Sequence, residues 1–264
     1  MIQAPRTYGW LNGLGLITMI RRELVREWRF FQYTVFGPAL QASLFTLIFL
    51  LSTDRGDLSV GTLSFIEFLC PGLVLSAILQ RSFESAGYSL MDDKLSDRLQ
   101  DILGIPLTCL ELILAYCLSG LLVSLAIGAT VWIALALIAG PVAPQSIILL
   151  LSYAILGSVI FSSFGTLAAL FSPKWDSIAG KETFILMPAL FLSGTFFPLS
   201  AVPEAFQGIL RLNPVFYLMD GFRYAMTGYN DADPALGMGI VVATALALWS
   251  LSLILLARGY KLKA

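Results

Sequence analysis

The chain predicts an all-α integral membrane protein: six transmembrane helices behind an amino-terminal amphipathic helix that lies in the interface. Three observations carry that prediction. Apolar residues make up 58% of the 264 positions and charged residues 12%, against roughly 45–50% and about 25% in soluble domains. Six stretches approach the length of about 20 apolar residues that a helix needs to cross the hydrocarbon. The basic residues crowd into alternate connections, which is the bias that orients membrane proteins. No long polar region separates the apolar stretches, so one transmembrane domain over 1–264 is expected, with no room for a soluble catalytic domain.

The elements follow in order. Positions 11–29 set Arg21, Arg22, Arg26 and Arg29 among Ile17, Ile20, Leu24, Val25 and Trp28. A helix of that pattern lies in the headgroup plane, drawn to anionic lipid, and it places the interfacial segment at 1–32. The apolar run behind it is of spanning length and ends in Ser52-Thr53-Asp54 without a small-x-small site, so no cleavable signal peptide is expected. The spans are predicted at 33–51, 63–80, 107–139, 146–171, 183–199 and 235–257. The third is longer than one crossing needs, which puts its first turns, around Glu111, at the interface or on a tilt. With the amino terminus inside, only Arg55, Arg211 and Arg223 of the sixteen Lys and Arg fall outside. Both termini are therefore expected in the cytoplasm.

The stretch 191–229 behaves unlike a simple loop. Ser193-Gly194 and Pro198 break the preceding helix, Pro203 opens a short new one, and Asn213-Pro214 breaks the chain again before a second amphipathic run ending near Arg223. Two helices too short to span, joined by a turn, predict a hairpin over 198–230 that dips into the outer side and returns.

A second signal lies on the inner side at 81–106. Apolar Leu95, Leu99, Ile102 and Leu103 recur at helical spacing, and Asp92, Asp93, Lys94, Asp97, Arg98 and Asp101 supply the opposite face. Gly104 can end this short surface helix, and Pro106 starts the next span. Taken alone, the segment is either a solvated linker or a docking helix.

Absences narrow the chemistry. The chain has no His, which removes the familiar triads, His-bearing zinc sites and the usual proton shuttle. It has no G-x-x-x-x-G-K-[ST] loop to cradle ATP phosphates. Cys70, Cys109 and Cys117 lack metal spacing and are read as packing or lipid-facing residues. A net charge of −1 without basic, aromatic-laced clusters argues against nucleic acid as a partner. Glu67 either faces a lumen or partner or reaches the headgroups. Asp220 and Arg223, at i and i+3, are placed to pair locally.

The series Gly194, Phe197-Pro198, Pro203, Asn213-Pro214, Tyr217 and Arg223, in order and without gaps, resembles the permease subunits of type-2 (type V exporter) ABC transporters, closest to the bacterial branch that handles drugs, lipo-oligosaccharides or polysaccharides. The resemblance covers nearly the whole chain. It implies a coupling helix at 81–106 resting on a separate ATP-binding subunit, with Asp97, Arg98, Leu99, Asp101, Ile102 and Leu103 as the contact. In place of the family's usual Gly near that helix the chain has Leu99-Gln100. The resemblance also implies a homodimer with two ATP-binding subunits, and a path along the second and fifth spans lined by Phe68, Leu75, Leu79, Phe184, Met187, Phe191 and Phe196. ATP and Mg would be held by the partner subunit, leaving this chain without cofactor or catalytic site. The expected location is the bacterial inner membrane, and the expected cargo is a lipid-like, glycan or drug substrate. A stand-alone secondary transporter or channel is the alternative, although the inverted repeats common in such carriers are not visible here.

Overall fold

The computed structural model describes residues 12–53, 59–60, 63–96 and 98–261. Helix α1 (Gly13–Arg29) starts on Asn12, whose side chain accepts from the Gly15 amide, and turns at Phe30 directly into α2 (Phe31–Thr53). The leading 11 residues, Arg55, Asp97 and Lys263 lie outside the described residues. A two-rung antiparallel pairing, β1 (Ser59–Val60) with β2 (Leu63–Ser64), leads into α3 (Phe65–Leu95). Short α4 (Arg98–Gly104) then connects to α5 (Cys109–Ala139) and α6 (Ile147–Leu170).

Polar side chains fix where these helices start. Ser64 and Glu67 form a reciprocal cap on α3, as Thr108 and Glu111 do on α5. That settles the role of Glu67: it is exposed and holds the Ser64 amide and hydroxyl, each at 2.9 Å. Glu111 is buried at the first turn of α5, where it also accepts from the Asn12 amide.

From Trp175 to Thr195 the chain is helical throughout but not uniformly wound. α7 (Trp175–Lys181) passes into a π-helical turn (Glu182–Leu186), α8 (Met187–Leu190) and a second π-helical turn (Phe191–Thr195). Five helices, α2, α3, α5, α6 and α11 (Pro234–Ala257), are each long and apolar enough to cross a membrane. The 175–195 run, at ~1.5 Å per residue, is about 31 Å long. This is an all-α membrane protein.

The largest departure from expectation is α3. Hydropathy ends the second span at 80, yet the helix continues to Leu95, so 81–95 is part of the bundle rather than a surface segment. Small residues explain this. Ser82 and Gly87 let α3 and α6 approach closely, and a Cβ on Gly165 would sit 2.4 Å from the Phe83 carbonyl. Hydroxyls stitch the same seam, with Ser82 Oγ 2.8 Å from Ser158 Oγ and Ser162 Oγ donating to the Ser82 carbonyl at 3.2 Å. Each such bond contributes about 0.6–2 kcal/mol. α3 thus forms the centre of the bundle, with α5 and α6 along its length. Cys70 and Cys117 are buried and Cys109 half-buried, which makes packing their role.

Candidate functional site

Three regions position the predicted functional residues, and the hairpin predicted over 198–230 is the first. Gly194 adopts φ +78°, a conformation that only glycine takes at no cost, and this ends the 175–195 run. Pro198 is extended, a 3₁₀ turn follows (Leu199–Ala201), and Pro203 caps α9 (Glu204–Leu212), one residue earlier than the helix-opening place expected of it. Asn213 caps α10 (Pro214–Thr227) by accepting from the Val215 amide, and its Nδ2 donates to the Ala189 carbonyl at 3.1 Å. α10 runs four residues beyond Arg223 and stops at left-handed Gly228. α9 turns Phe206, Ile209 and Leu212 outward, while α10 packs on α3, α6 and α11.

Asp220 and Arg223 do not pair as their spacing suggests. The Arg223 guanidinium, 1% exposed, donates to the Phe68 carbonyl at 3.2 Å and the Gly194 carbonyl at 2.6 Å, and lies 3.7 Å above the Phe68 ring. Asp220 turns the other way and accepts from the Asp231 and Ala232 amides at 2.7 and 3.0 Å. Asp220 takes up amides in the turn before α11 and Arg223 takes up the Gly194 carbonyl at the end of the 175–195 run, backbone groups that chain breaks leave free, while the Phe68 carbonyl inside α3 is a second acceptor for the same guanidinium.

The second region is the inner face, where α1 docks on α3. Glu23, 1% exposed, accepts from Arg22 at 2.7 Å, Arg26 at 2.6 Å and Ser89 at 2.5 Å. Asp93, equally buried, accepts from Arg22 and from the Tyr116 hydroxyl at 2.9 Å. Arg81 bridges Glu27 and Glu84. Asp93 and Lys94, expected on a solvated face, are therefore buried on α3. On α4, Leu99 and Ile102 are buried, whereas Arg98 and Asp101 are exposed and Arg98 pairs with Asp92 at 2.7 Å. The apolar pair anchors α4 to its own bundle, which leaves the charged residues facing outward. Asp97 and the Leu103 side chain lie outside the described residues. Asn12 Nδ2 donates to the Pro106 carbonyl at 3.0 Å, so α1 and the α4–α5 turn are joined, and an open cleft between them is walled by Met19, Arg22, Ile102 and Leu107.

The third region is a groove between α2, α3 and the 175–195 run. Pro38, Phe45, Leu73, Met187, Phe191 and Phe196 line its apolar part. It shares Pro38, Gln41, Ala77 and Gln80 with a neighbouring recess that adds Tyr33, Thr34, Arg81 and Glu84. The result is one groove, apolar at one end and polar at the other. Of the predicted path residues, Met187, Phe191 and Phe196 line it and Phe184 is exposed outside it. Phe68, Leu75 and Leu79 do not: all three are 0% exposed, Phe68 beneath Arg223 and Leu79 against the α6 backbone at Gly157. They face the core because α3 packs along α5 and α6 on that side. Its groove face carries Leu73, Ser76, Ala77 and Gln80, which the sequence reading did not single out.

Residues 15–227 match the family model for ABC-2 type transporters. The chain belongs to that family. Its relatives include the inner membrane transport permease YadH of Escherichia coli strain K12, 28% identical over 256 residues and covering 96% of this chain and 99% of the relative. Nodulation protein J of Bradyrhizobium diazoefficiens is 27% identical over 179 residues, covering 67% of each chain. The shorter match to nodulation protein J of Rhizobium leguminosarum bv. viciae is 33% identical over 81 residues, or 31% of each. ABC-2 permeases are membrane subunits that work with an ATP-binding subunit. The match includes α1, the inner charge cluster, the groove and the whole α9–α10 hairpin.

Proposed function

We propose that this chain is the permease subunit of an ATP-driven exporter in a bacterial inner membrane, moving an amphiphilic cargo of the lipid-like, glycan or drug class outward. The observation that carries the reading is the groove between α2, α3 and the 175–195 run, with its polar end at Gln41, Gln80 and Glu84 and its apolar end at Phe45, Phe191 and Phe196. An amphiphile fits that gradient with its headgroup at the polar end. The 175–195 run serves as the fifth of six spans, both termini lie in the cytoplasm, and the α9–α10 hairpin caps the outer end. Two copies of the permease would face each other across a two-fold axis, each seated on one ATP-binding subunit.

The exposed Arg98 and Asp101 of α4, with neighbouring Asp97, make the contact with that subunit. ATP and Mg are held there, and α1, tied to α4–α5 through Asn12, moves with it. The groove then opens by a rigid-body change driven from below. Charge reversal at both Asp97 and Arg98 should uncouple transport from hydrolysis. The test is substrate-stimulated ATP hydrolysis in vesicles carrying both subunits, and full stimulation in the reversed variant would end the coupling assignment. Ala77→Trp, which fills the groove, should block transport while basal hydrolysis persists.

A further inference from the structure

Every ion pair among the described residues uses an arginine. Three lysines instead converge, without any carboxylate within 4 Å among those residues, on the turn that ends α6. Lys94, from α3 and 5% exposed, donates to the Ser172 carbonyl at 2.8 Å and the Leu170 carbonyl at 3.3 Å. Lys181, at the end of α7, donates to the Ser172 hydroxyl at 2.6 Å and the Ser177 hydroxyl at 3.0 Å. Lys261 follows α11 in a left-handed conformation, φ 53°, and places its ammonium 5.2 Å from the Phe171 ring centre.

The helix end alone does not account for this gathering. The carbonyls at a helix C-terminus carry about half a negative charge, and three ammoniums exceed that several-fold. Asp92 is committed to Arg98, and Glu182 accepts from the Tyr88 hydroxyl. A non-glycine residue held in the left-handed region is itself uncommon, and here it brings a third cation towards two others. Aromatic residues frame the cluster: Phe171, Trp175 and Tyr260 are each more than two-fifths exposed. Trp and Tyr beside Lys at the end of an apolar bundle mark the headgroup level of a bilayer.

We propose that Lys94, Lys181 and Lys261 bind a phosphate-bearing anion, supplied by the headgroup of an anionic membrane lipid. The site lies at the inner end of α6, on residues other than those lining the groove, and it does not depend on what is exported. A lipid held there ties α3, α6, α7 and the end of α11 together.

The test uses the full chain purified in detergent, titrated with phosphatidylglycerol, with phosphatidylcholine and with inorganic phosphate, and read by native mass spectrometry and thermal unfolding. Phosphatidylglycerol should bind at least tenfold more tightly than phosphatidylcholine and raise the unfolding midpoint. Each Lys→Gln change should weaken phosphatidylglycerol about fivefold, the effect expected of one cation near an anionic headgroup. Lys174→Gln, an exposed charge on the same connection, should leave the affinity within about twofold. Equal binding of the two lipids would overturn the site, as would a Lys94→Gln, Lys181→Gln, Lys261→Gln triple variant that keeps the preference. Inorganic phosphate matching the lipid at equal concentration would overturn the lipid as the source. Should the triple variant fail to fold, exposed Lys261→Gln alone must still show the fivefold loss, and unchanged affinity there rejects the proposal.

Discussion

Arg223 in the outer hairpin and Arg22 on the inner face are both guanidinium groups at a helix junction, yet they are satisfied in opposite ways. Arg223 has only carbonyls and an aromatic ring, while Arg22 has two buried carboxylates on different helices. A carbonyl at a chain break has one position. A network of carboxylates, with Glu23 shared between Arg22, Arg26 and Ser89, offers several alternative pairings at similar energy. The Arg223 junction is built as a fixed joint, and the Arg22 junction as a network whose carboxylates are shared among several donors.

Substitutions can break or sharpen that contrast. The largest effect is expected at the fixed joint. Arg223→Ala leaves the Gly194 carbonyl without its partner and a cavity above the Phe68 ring, and should cost about 2–5 kcal/mol, seen as a lower unfolding midpoint in detergent. Arg223→Lys should recover little of this, because one ammonium cannot reproduce the fork and the ring stacking. Glu23→Gln should cost less, about 2 kcal/mol, since Arg22 keeps Asp93. Its signature is local: amide exchange should quicken in α1 and stay unchanged in α9–α10, and loosening at both ends would erase the distinction. Gly194→Ala forces a side chain into the left-handed region at about 1–2 kcal/mol, weakening the Arg223 joint from its other side. The smallest stability effect should come from Arg98→Ala, whose exposed pair with Asp92 contributes less than about 1 kcal/mol. A larger loss there would show that α4 is held to the bundle by charge rather than by Leu99 and Ile102.

The element order of the α9–α10 hairpin was legible in the sequence because Gly, Pro and Asn-Pro act on the backbone itself, and their effect is nearly independent of what packs around them. The element order through 191–229 came out as read, apart from a one-residue offset at Pro203 and four extra residues on α10. The membrane class was legible for a similar reason, since composition needs no tertiary knowledge. The groove was not. α3 is apolar around its whole circumference, so periodicity cannot tell which side meets α5 and α6. At about 100° per residue, Phe68, Leu75 and Leu79 share one face, and Leu73, Ala77 and Gln80 lie roughly 150° away on the face that is open. The end of α3 was also hidden, because charges at 81–94 look like solvent exposure when each is read without its partner across the interface. Reciprocal i, i+3 caps at Ser64-Glu67 and Thr108-Glu111 were the signals that could have placed both helix starts.

Arg223 clasps the first turn of α3 and the last residues of the 175–195 run at once, and towards the other end the Tyr88 hydroxyl of α3 donates to Glu182 of the same run. α3 is 31 residues long, or about 46 Å at ~1.5 Å per residue. Swinging it by about 5° around that clasp carries its far end about 4 Å while the near end stays in place. The groove between them is therefore closed by a latch at that far end: widening it breaks the Tyr88–Glu182 hydrogen bond while the Arg223 clasp keeps its own.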